Sequence, residues 1–356
     1  MPTITQSKQA GIEQNYQHTP IGFDCGAGLT KLCFFCGRIQ KRLRQPSKLL
    51  ELKSPLLEEL KSPEGGQFTY HSGNRSDLIG RQFLTGELAA WKEPTTHIKL
   101  SDDPTLKAEY VLHMVLGALA SVEYRPKWNL FLVASTHSRA LFSDKLKALT
   151  NGTHTVTFGG ADMPASTVNI TVGSVVPEGA GAYTYAKRLN ALDSSSRVIG
   201  FDLGTSTVIP QVFGPGGKLI YHQPLETGGV IDLLEAIATD TQLLEQLGTG
   251  KSANLELIRK GLESGDFSYG TRRFNTRALY AKHIKLWLAA RLRLAFKATK
   301  EWRDEAGSLI AWGGGSELPG VSQMLNTQGV ISLPQGGWAN ALGLQIIATA
   351  LKARRE

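Results

Sequence analysis

At 356 residues, with 41% apolar side chains and a formal net charge of +8, the chain is long enough for two hydrophobic cores and is globular rather than fibrous. No uninterrupted apolar run reaches the length of a bilayer span, and the opening MPTITQSKQAGIEQNYQHTP is polar where a secretory signal is charged and then apolar. A cytoplasmic protein without membrane contact is expected, and the basic balance makes acidic partners plausible without naming one.

Residues 1–17 are polar and aperiodic and read as a disordered tail. A β-hairpin follows from about Pro20 to Arg38, then a basic turn at Lys41-Arg42-Leu43-Arg44. Two ELKSP pentapeptides, at Glu51–Pro55 and Glu59–Pro63, read as a local insertion with Pro-terminated helical turns. Apolar residues at Val111, Leu112, Val115, Leu116 and Leu119 predict an amphipathic helix over 105–122, with Asp102 and Asp103 suited to its N-terminal dipole. Trp128–Ser135 is a continuous apolar run and reads as a central strand. A helix near Phe142–Leu149 comes next, with β-type runs at Thr153–Phe158 and Ser166–Val172.

A strand at Ile199–Gly204 opens the second half, and Gly214-Pro-Gly-Gly217 turns its partner back through Lys218–His222. Helical patterns cover 230–240, 254–263 and 276–303. Ser308–Trp312 reads as a buried strand running into Gly313-Gly314-Gly315-Ser316, and after Gly336–Gly343 a last helix ends the chain. The basic residues from Arg272 to Arg303 read as the solvated outer face of a long helix, ahead of a contact surface for nucleic acid, polyphosphate or a neighbouring subunit. No DNA-reading motif accompanies them, so sequence-specific DNA binding is not expected. Cys33 and Cys36 point to opposite faces of a strand and neither bridge nor share a metal easily. Cys25 lies in the first glycine turn, where it is either a small filler or a thiol open to oxidants.

The chemistry concentrates in a repeat: Ile-Gly-Phe-Asp-x-Gly occurs at Ile21–Gly26 and again at Ile199–Gly204. Each copy delivers an Asp into a glycine turn whose bare backbone N–H groups can approach an anion. Lys31 stands seven residues beyond Asp24, where a tight hairpin returns it to the same end of the sheet; Thr205, Ser206 and Thr207 add hydroxyl donors to the second turn. Either Asp-x-Gly alone reads as an ordinary hairpin. The matched pair, with a triple-glycine turn after a later strand, reads as two halves facing one phosphate ligand and a divalent cation. Gly248-Thr-Gly250-Lys251-Ser252 imitates the end of a P-loop, but its first glycine would fall at Glu245 and no strand precedes it. Ser135, His137 and Ser138 lack a nucleophile elbow and a third partner, and the eight histidines show no metal-ligand spacing.

The first phosphate loop (Asp24–Lys31), the second (Asp202–Thr207) and the adenosine loop (Trp312–Glu317) together resemble the actin/Hsp70/sugar-kinase superfamily over nearly the whole chain. The order WNLFLVASTHS, helix, NGTHTVTFGG, strand and Val176-Pro177-Glu178-Gly179 resembles the bacterial actin-like ATPases of the plasmid-segregation type, ParM/StbA. The resemblance implies an α/β, actin-like ATPase fold of two related RNase H-like domains flanking a nucleotide cleft. The first domain would run over 18–197, joined by the helix 340–356, and the second over 198–339.

It further implies that Asp24 and Asp202 hold Mg²⁺, mostly through its waters, and serve catalysis with Glu178, which orients the attacking water. Glu178 otherwise reads as a turn carboxylate in solvent. Lys31 and the amides of Gly26, Ala27 and Gly28 would contact the β- and γ-phosphates, and Gly204, Thr205, Ser206 and Thr207 the facing side. Gly228 and Gly229 match a glycine pair after the second phosphate strand; Gly313, Gly314, Gly315 and Ser316 would lie against adenosine; Asn340 and Gly343 resemble the hinge segment. Two departures bear on turnover: Ala27 stands where a hydroxyl is common, and Ile209-Pro210 where an acidic residue is usual. The implied activity is hydrolysis of ATP, with GTP left open, coupled to self-polymerisation in plasmid or DNA segregation through a small DNA-binding adaptor. The alternative is a sugar or metabolite kinase on the same fold, for which the second loop offers no acid beyond Asp202. An Hsp70-like chaperone or membrane-tethered division actin ranks lower, because no peptide-binding domain follows and the last helix reads as packed core.

Overall fold

The computed structural model describes residues 18–225, 227–248 and 252–355, with Arg272 and Arg273 described by their backbone only. The expected tail at 1–17 and the centre of the P-loop imitation lie outside the described residues.

The first half builds β1 (Thr19–Cys25), β2 (Leu29–Cys36), β3 (Ile39–Pro46), β4 (Lys48–Glu51), β5 (Gln67–Gly73), β6 (Gln82–Thr85), helix α1 (Glu87–Lys92) and β7 (Ile98–Lys99). It continues through α2 (Pro104–Glu109), α3 (Val111–Leu119), β8 (Lys127–Thr136), α4 (Arg139–Thr150), β9 (Gly152–Phe158), β10 (Ala165–Pro177) and α5 (Ala180–Arg188). The second half holds β11 (Arg197–Leu203), β12 (Val208–Phe213), β13 (Leu219–His222), α6 (Val230–Ala238), α7 (Thr241–Leu247), α8 (Leu255–Ser264), β14 (Ser268–Tyr269) and β15 (Arg272–Asn275). Then come α9 (Arg277–Ala298), β16 (Ala306–Trp312), α10 (Val321–Asn326), β17 (Ile331–Ser332) and α11 (Ala339–Ala353).

The repeat in sequence is a repeat in topology. One sheet contains the order β3-β2-β1-β8-β10 and extends beyond it through β9-β5-β6-β4-β7; a second is β13-β12-β11-β16-β17, and β14 and β15 form a separate two-stranded ribbon. The two large sheets correspond. In both, the Asp-bearing strand sits centrally, antiparallel to its hairpin partner and parallel to a later strand, β1 to β8 and β11 to β16. Central strands are covered on both faces, and Ile21, Phe23, Ile199 and Phe201 are fully buried. The repeated glycine serves a different close approach in each half. A Cβ on Gly22 would collide with the backbone of α11 at Ala341 and Gln345, and one on Gly200 with the Trp312 ring. The C-terminal helix α11 packs on β1, β8 and α5.

Several expectations are corrected. The basic residues Lys41–Arg44 form no turn but the strand β3, fully paired with β2. The ELKSP segment makes no helical turns. Its first residue, Glu51, ends β4, and Leu52, Leu56 and Leu60 instead lay their side chains on Leu84, Leu88 and Ala89, with Gln67 and Gln82 taking the backbone N–H groups of Leu60 and Leu56. The helix expected over 105–122 is two helices broken at Tyr110, and it is Asp103 that caps the first, accepting from Thr105 N at 2.7 Å. The pattern at 230–240 stops at Ala238, where Asp240 caps the unexpected α7. Cys25 is buried at the end of β1, and burial pushes its thiol up to about 11, so it is no exposed redox group.

The long basic helix is only partly a solvated face. Lys282 and His283 reach the buried Asp240 at 2.7 and 2.8 Å, and Arg291 pairs with Asp232, so these side chains tie α9 to α6 and to the turn before α7. Leu286 points outward and is 74% exposed. Among the described residues no helix is long and apolar enough to cross a membrane.

Candidate nucleotide cleft

The two Asp hairpins are built alike down to the turn. Gly26 N donates to Leu29 O at 3.1 Å, and Gly204 N donates to Thr207 O at 3.0 Å, closing the same three-residue step in each loop. The register sets Asp24 directly opposite Lys31 and Asp202 directly opposite Ile209. Pro210 is tolerated one position further because β13 pairs only from Gln211 onward, so no neighbour needs its missing N–H.

Ser47 braces the first loop, donating from Oγ to Gly26 O at 2.7 Å and from its backbone N to Gly28 O at 3.0 Å. The second loop is braced by the start of α6, where Gly229, Val230 and Ile231 donate to Ser206, Gly204 and Thr205 carbonyls. The loops touch: a Cβ on Gly28 would stand 3.1 Å from Thr205 Oγ1, so glycine there lets the two halves meet.

Between them lies a solvent-open cleft. It is lined by Asp24, Gly26, Ala27, Gly28, Lys31, Glu178, Asp202, Gly204, Thr205, Ser206, Thr207, Gly313, Gly314 and Asn340, so most of the residues singled out in sequence come together on one surface. Gly228, Gly229, Gly315 and Ser316 stand behind that surface. Gly228 and Gly229 connect the second loop to α6, Gly315 packs on Leu203, and Ser316 donates to Gly313 O at 2.8 Å. Gly313 has φ +87° and its N donates to Gly336 O at 3.0 Å, a backbone shape that glycine adopts at little cost. At this end Val230, Leu234, Leu262 and Leu318 make an apolar compartment, with Arg259 and Glu263 at its edge.

The acidic end is strongly polarised. Asn340 Nδ2 donates to Asp24 Oδ1 at 2.7 Å and Ser135 Oγ donates to the same oxygen at 3.2 Å. Burial at the floor of the cleft pushes the Asp202 carboxyl up to about 7; the charges of Asp24 and Glu178 push the same way, against Lys31. Lys31 itself donates to the carbonyl of Gly337. Glu178 is not a solvent turn: its backbone N donates to Thr136 O at 3.0 Å, its side chain is 15% exposed, and Lys107 Nζ reaches its Oε1 at 3.4 Å. Lys107, Arg259 and Glu263 carry no sequence motif, and only the fold brings them to the cleft.

Two carboxylates lining one cleft offer hard oxygen donors and fit Mg²⁺, which keeps most of its waters and takes one or two carboxylates beside phosphate oxygens. Among the described residues no group of three or more His, Cys, Asp or Glu side chains forms a dedicated cage. The arrangement therefore suits a cation that arrives with a phosphate ligand.

Two topologically equivalent α/β halves, each presenting a carboxylate and a glycine turn to a shared cleft, define the class of actin-fold proteins. Residues 22–181 match the family described as Actin like proteins N terminal domain. The chain has an actin-like fold over nearly its whole length. An archaeal actin homolog, Ta0583, superposes with a TM-score of 0.69 at 19% identity, over 93% of this chain and 99% of that one. ParM of Bacillus thuringiensis gives 0.64 at 15% identity, over 95% and 98%, and the actin-like protein Alp7A gives 0.70 at 15%, over 94% and 97%. No curated protein matches the chain in sequence.

Proposed function

We propose that this chain is a filament-forming, nucleotide-dependent ATPase that binds ATP with Mg²⁺ between its two halves and hydrolyses it. The observation that carries the reading is the pair Asp24 and Asp202, delivered by equivalent hairpins to one cleft whose loops touch at Gly28 and Thr205. Solved relatives support it: the archaeal homolog has been crystallised with ADP and the Bacillus thuringiensis ParM with AMPPNP.

Asp24 and Asp202 would hold the cation's water shell, and bound Mg²⁺ would offset charge on the phosphate oxygens. The amides of Gly26, Ala27 and Gly28, with Lys31 and the Thr205–Thr207 loop, cradle the phosphates from both sides. Gly313 and Gly314 admit the adenosine along their backbone, with the apolar compartment beneath the base. Glu178 polarises a water in line with the terminal phosphate; positioning and charge supply most of the rate in such transfers. A ligand gripped by both halves fixes the angle between them, and that angle selects the shape that polymerises. Self-assembly in the cytoplasm, coupled to DNA segregation through a small DNA-binding adaptor, completes the proposal.

The test is sedimentation and negative-stain microscopy with ATP, alongside phosphate release. Filaments with ATP, and release that needs no added sugar, are expected. A protein that stays monomeric at tens of micromolar overturns the filament, and phosphate transferred to an added sugar makes it a kinase.

A further inference from the structure

We propose that Lys107 is the cation that binds the terminal phosphate and stabilises its transfer, a role resting on the ATPase reading above. Lys31, the lysine legible in the first loop, is engaged with the Gly337 carbonyl. The ammonium group beside Glu178 is a different one. Lys107 comes from α2, lines the cleft with its side chain 20% exposed, and contacts Glu178 Oε1 at 3.4 Å.

Three facts argue that this contact is a resting arrangement rather than a finished structural ion pair. At 3.4 Å it is longer than a well-formed N–H···O bond. An ammonium group has three donors, and among the described residues Glu178 is the one hydrogen-bond acceptor the Lys107 side chain has, so most of its capacity is left for a ligand in the cleft. The field at that point is anionic: burial works against the charge on Lys107, but Glu178, helped by Asp24, outweighs it and holds the group protonated. A charged donor is thereby kept, incompletely bonded, beside the carboxylate that faces the attacking water.

With a triphosphate in the cleft, Lys107 donates to a γ-phosphate oxygen while remaining next to Glu178. The water oxygen forms a bond to the γ-phosphorus, and the bond to the β–γ bridging oxygen breaks with its electron pair leaving on ADP. One water proton passes to Glu178 and on to the phosphate product. Lys107 faces the charge on the transferring group, where a preorganised donor acts most strongly. Because ADP lacks the phosphate that Lys107 grips, the residue separates ATP from ADP.

The experiment compares wild type, Lys107→Met, Lys107→Arg and Glu178→Ala for ADP affinity, affinity for a non-hydrolysable ATP analogue, and phosphate release. For Lys107→Met we expect ADP affinity near wild type, analogue affinity about tenfold weaker, and turnover down about 100-fold or more, the scale for loss of one transition-state donor. Lys107→Arg should recover part of both. Turnover of Lys107→Met close to wild type, or equal losses for ADP and the analogue, overturns the assignment and leaves Lys107 a structural residue. If wild type itself neither binds nor hydrolyses ATP, the ATPase reading fails and Lys107 loses this role with it. A wild type that hydrolyses ATP beside an active Lys107→Met variant sinks the lysine alone.

Discussion

Asn340, at the start of the last helix, donates from Nδ2 to Oδ1 of Asp24 at 2.7 Å, across almost the full length of the chain. Its amide oxygen accepts from Ala182 N at 3.3 Å and its Nδ2 also reaches Ser135 Oγ at 3.1 Å, so one buried side chain joins α11, α5, β8 and the first phosphate loop. The carboxylate expected to serve the cation is aimed by the segment where the two halves connect.

Asn340→Ala should therefore lose a hydrogen bond to a charged acceptor, worth about 1.5–3 kcal/mol, and leave Asp24 free to swing. Chemical denaturation should show that loss, and ADP affinity should fall with it. Unchanged affinity would detach Asn340 from the site.

Asp202 pushes against Asp24 and Glu178 in the ligand-free protein. Asp202→Asn removes that repulsion while keeping the shape, so the ligand-free variant should melt at a higher temperature than wild type and lose Mg²⁺-dependent nucleotide binding, the trade expected of a strained site. A scan of melting temperature with and without nucleotide reads both. A lower ligand-free melting temperature would mean that Asp202 is held by partners other than the charges named.

Much of the cleft was legible in the chain because its loops are local. The Asp, glycines and Lys31 of a hairpin are fixed relative to one another by a few residues, and the repeat at Ile21 and Ile199 announces that the local unit occurs twice. Lys107 and Ser135 were opaque because their roles exist only once β8 lies beside β1 and α2 reaches the cleft. The break at Tyr110 was hidden by an apolar stripe that continues through it. The strand β3 was misread because its basic residues look like a turn, although long cationic side chains are ordinary on the outermost strand of a sheet.

His113 offers a pH test away from the cleft. It lies in the first core against the rings of Phe83 and Tyr110, its Nδ1 has no partner, and burial, helped by Arg75 and Arg81, holds its pKa down to about 3. The unfolded chain takes up the proton near its ordinary value and the folded one does not. Stability is therefore full above about pH 6.5 and falls as pH drops toward 3, by about 1.4 kcal/mol per unit. Denaturation between pH 7 and 5 should show this slope in wild type and a flatter one in His113→Leu. Equal slopes would show that His113 opens to solvent.

Gly343 meets Gly181 where α11 crosses α5, and a Cβ on Gly343 would collide with the Gly181 carbonyl. Gly343→Ala should cost about 1–3 kcal/mol through overpacking and shift Asn340 off Asp24. Loss of stability together with weakened nucleotide binding is the expected pair. A variant as stable as wild type would show that the crossing is looser than described.

The central claim is one magnesium-bound nucleotide gripped between Asp24 and Asp202, and calorimetric titration of ATP into the protein tests it most directly. The account predicts one site per chain, dependent on Mg²⁺, and weakened about 100-fold in Asp24→Asn, equivalent to about 2.7 kcal/mol. No binding by wild type in the presence of Mg²⁺, or equal binding by Asp24→Asn, would contradict it.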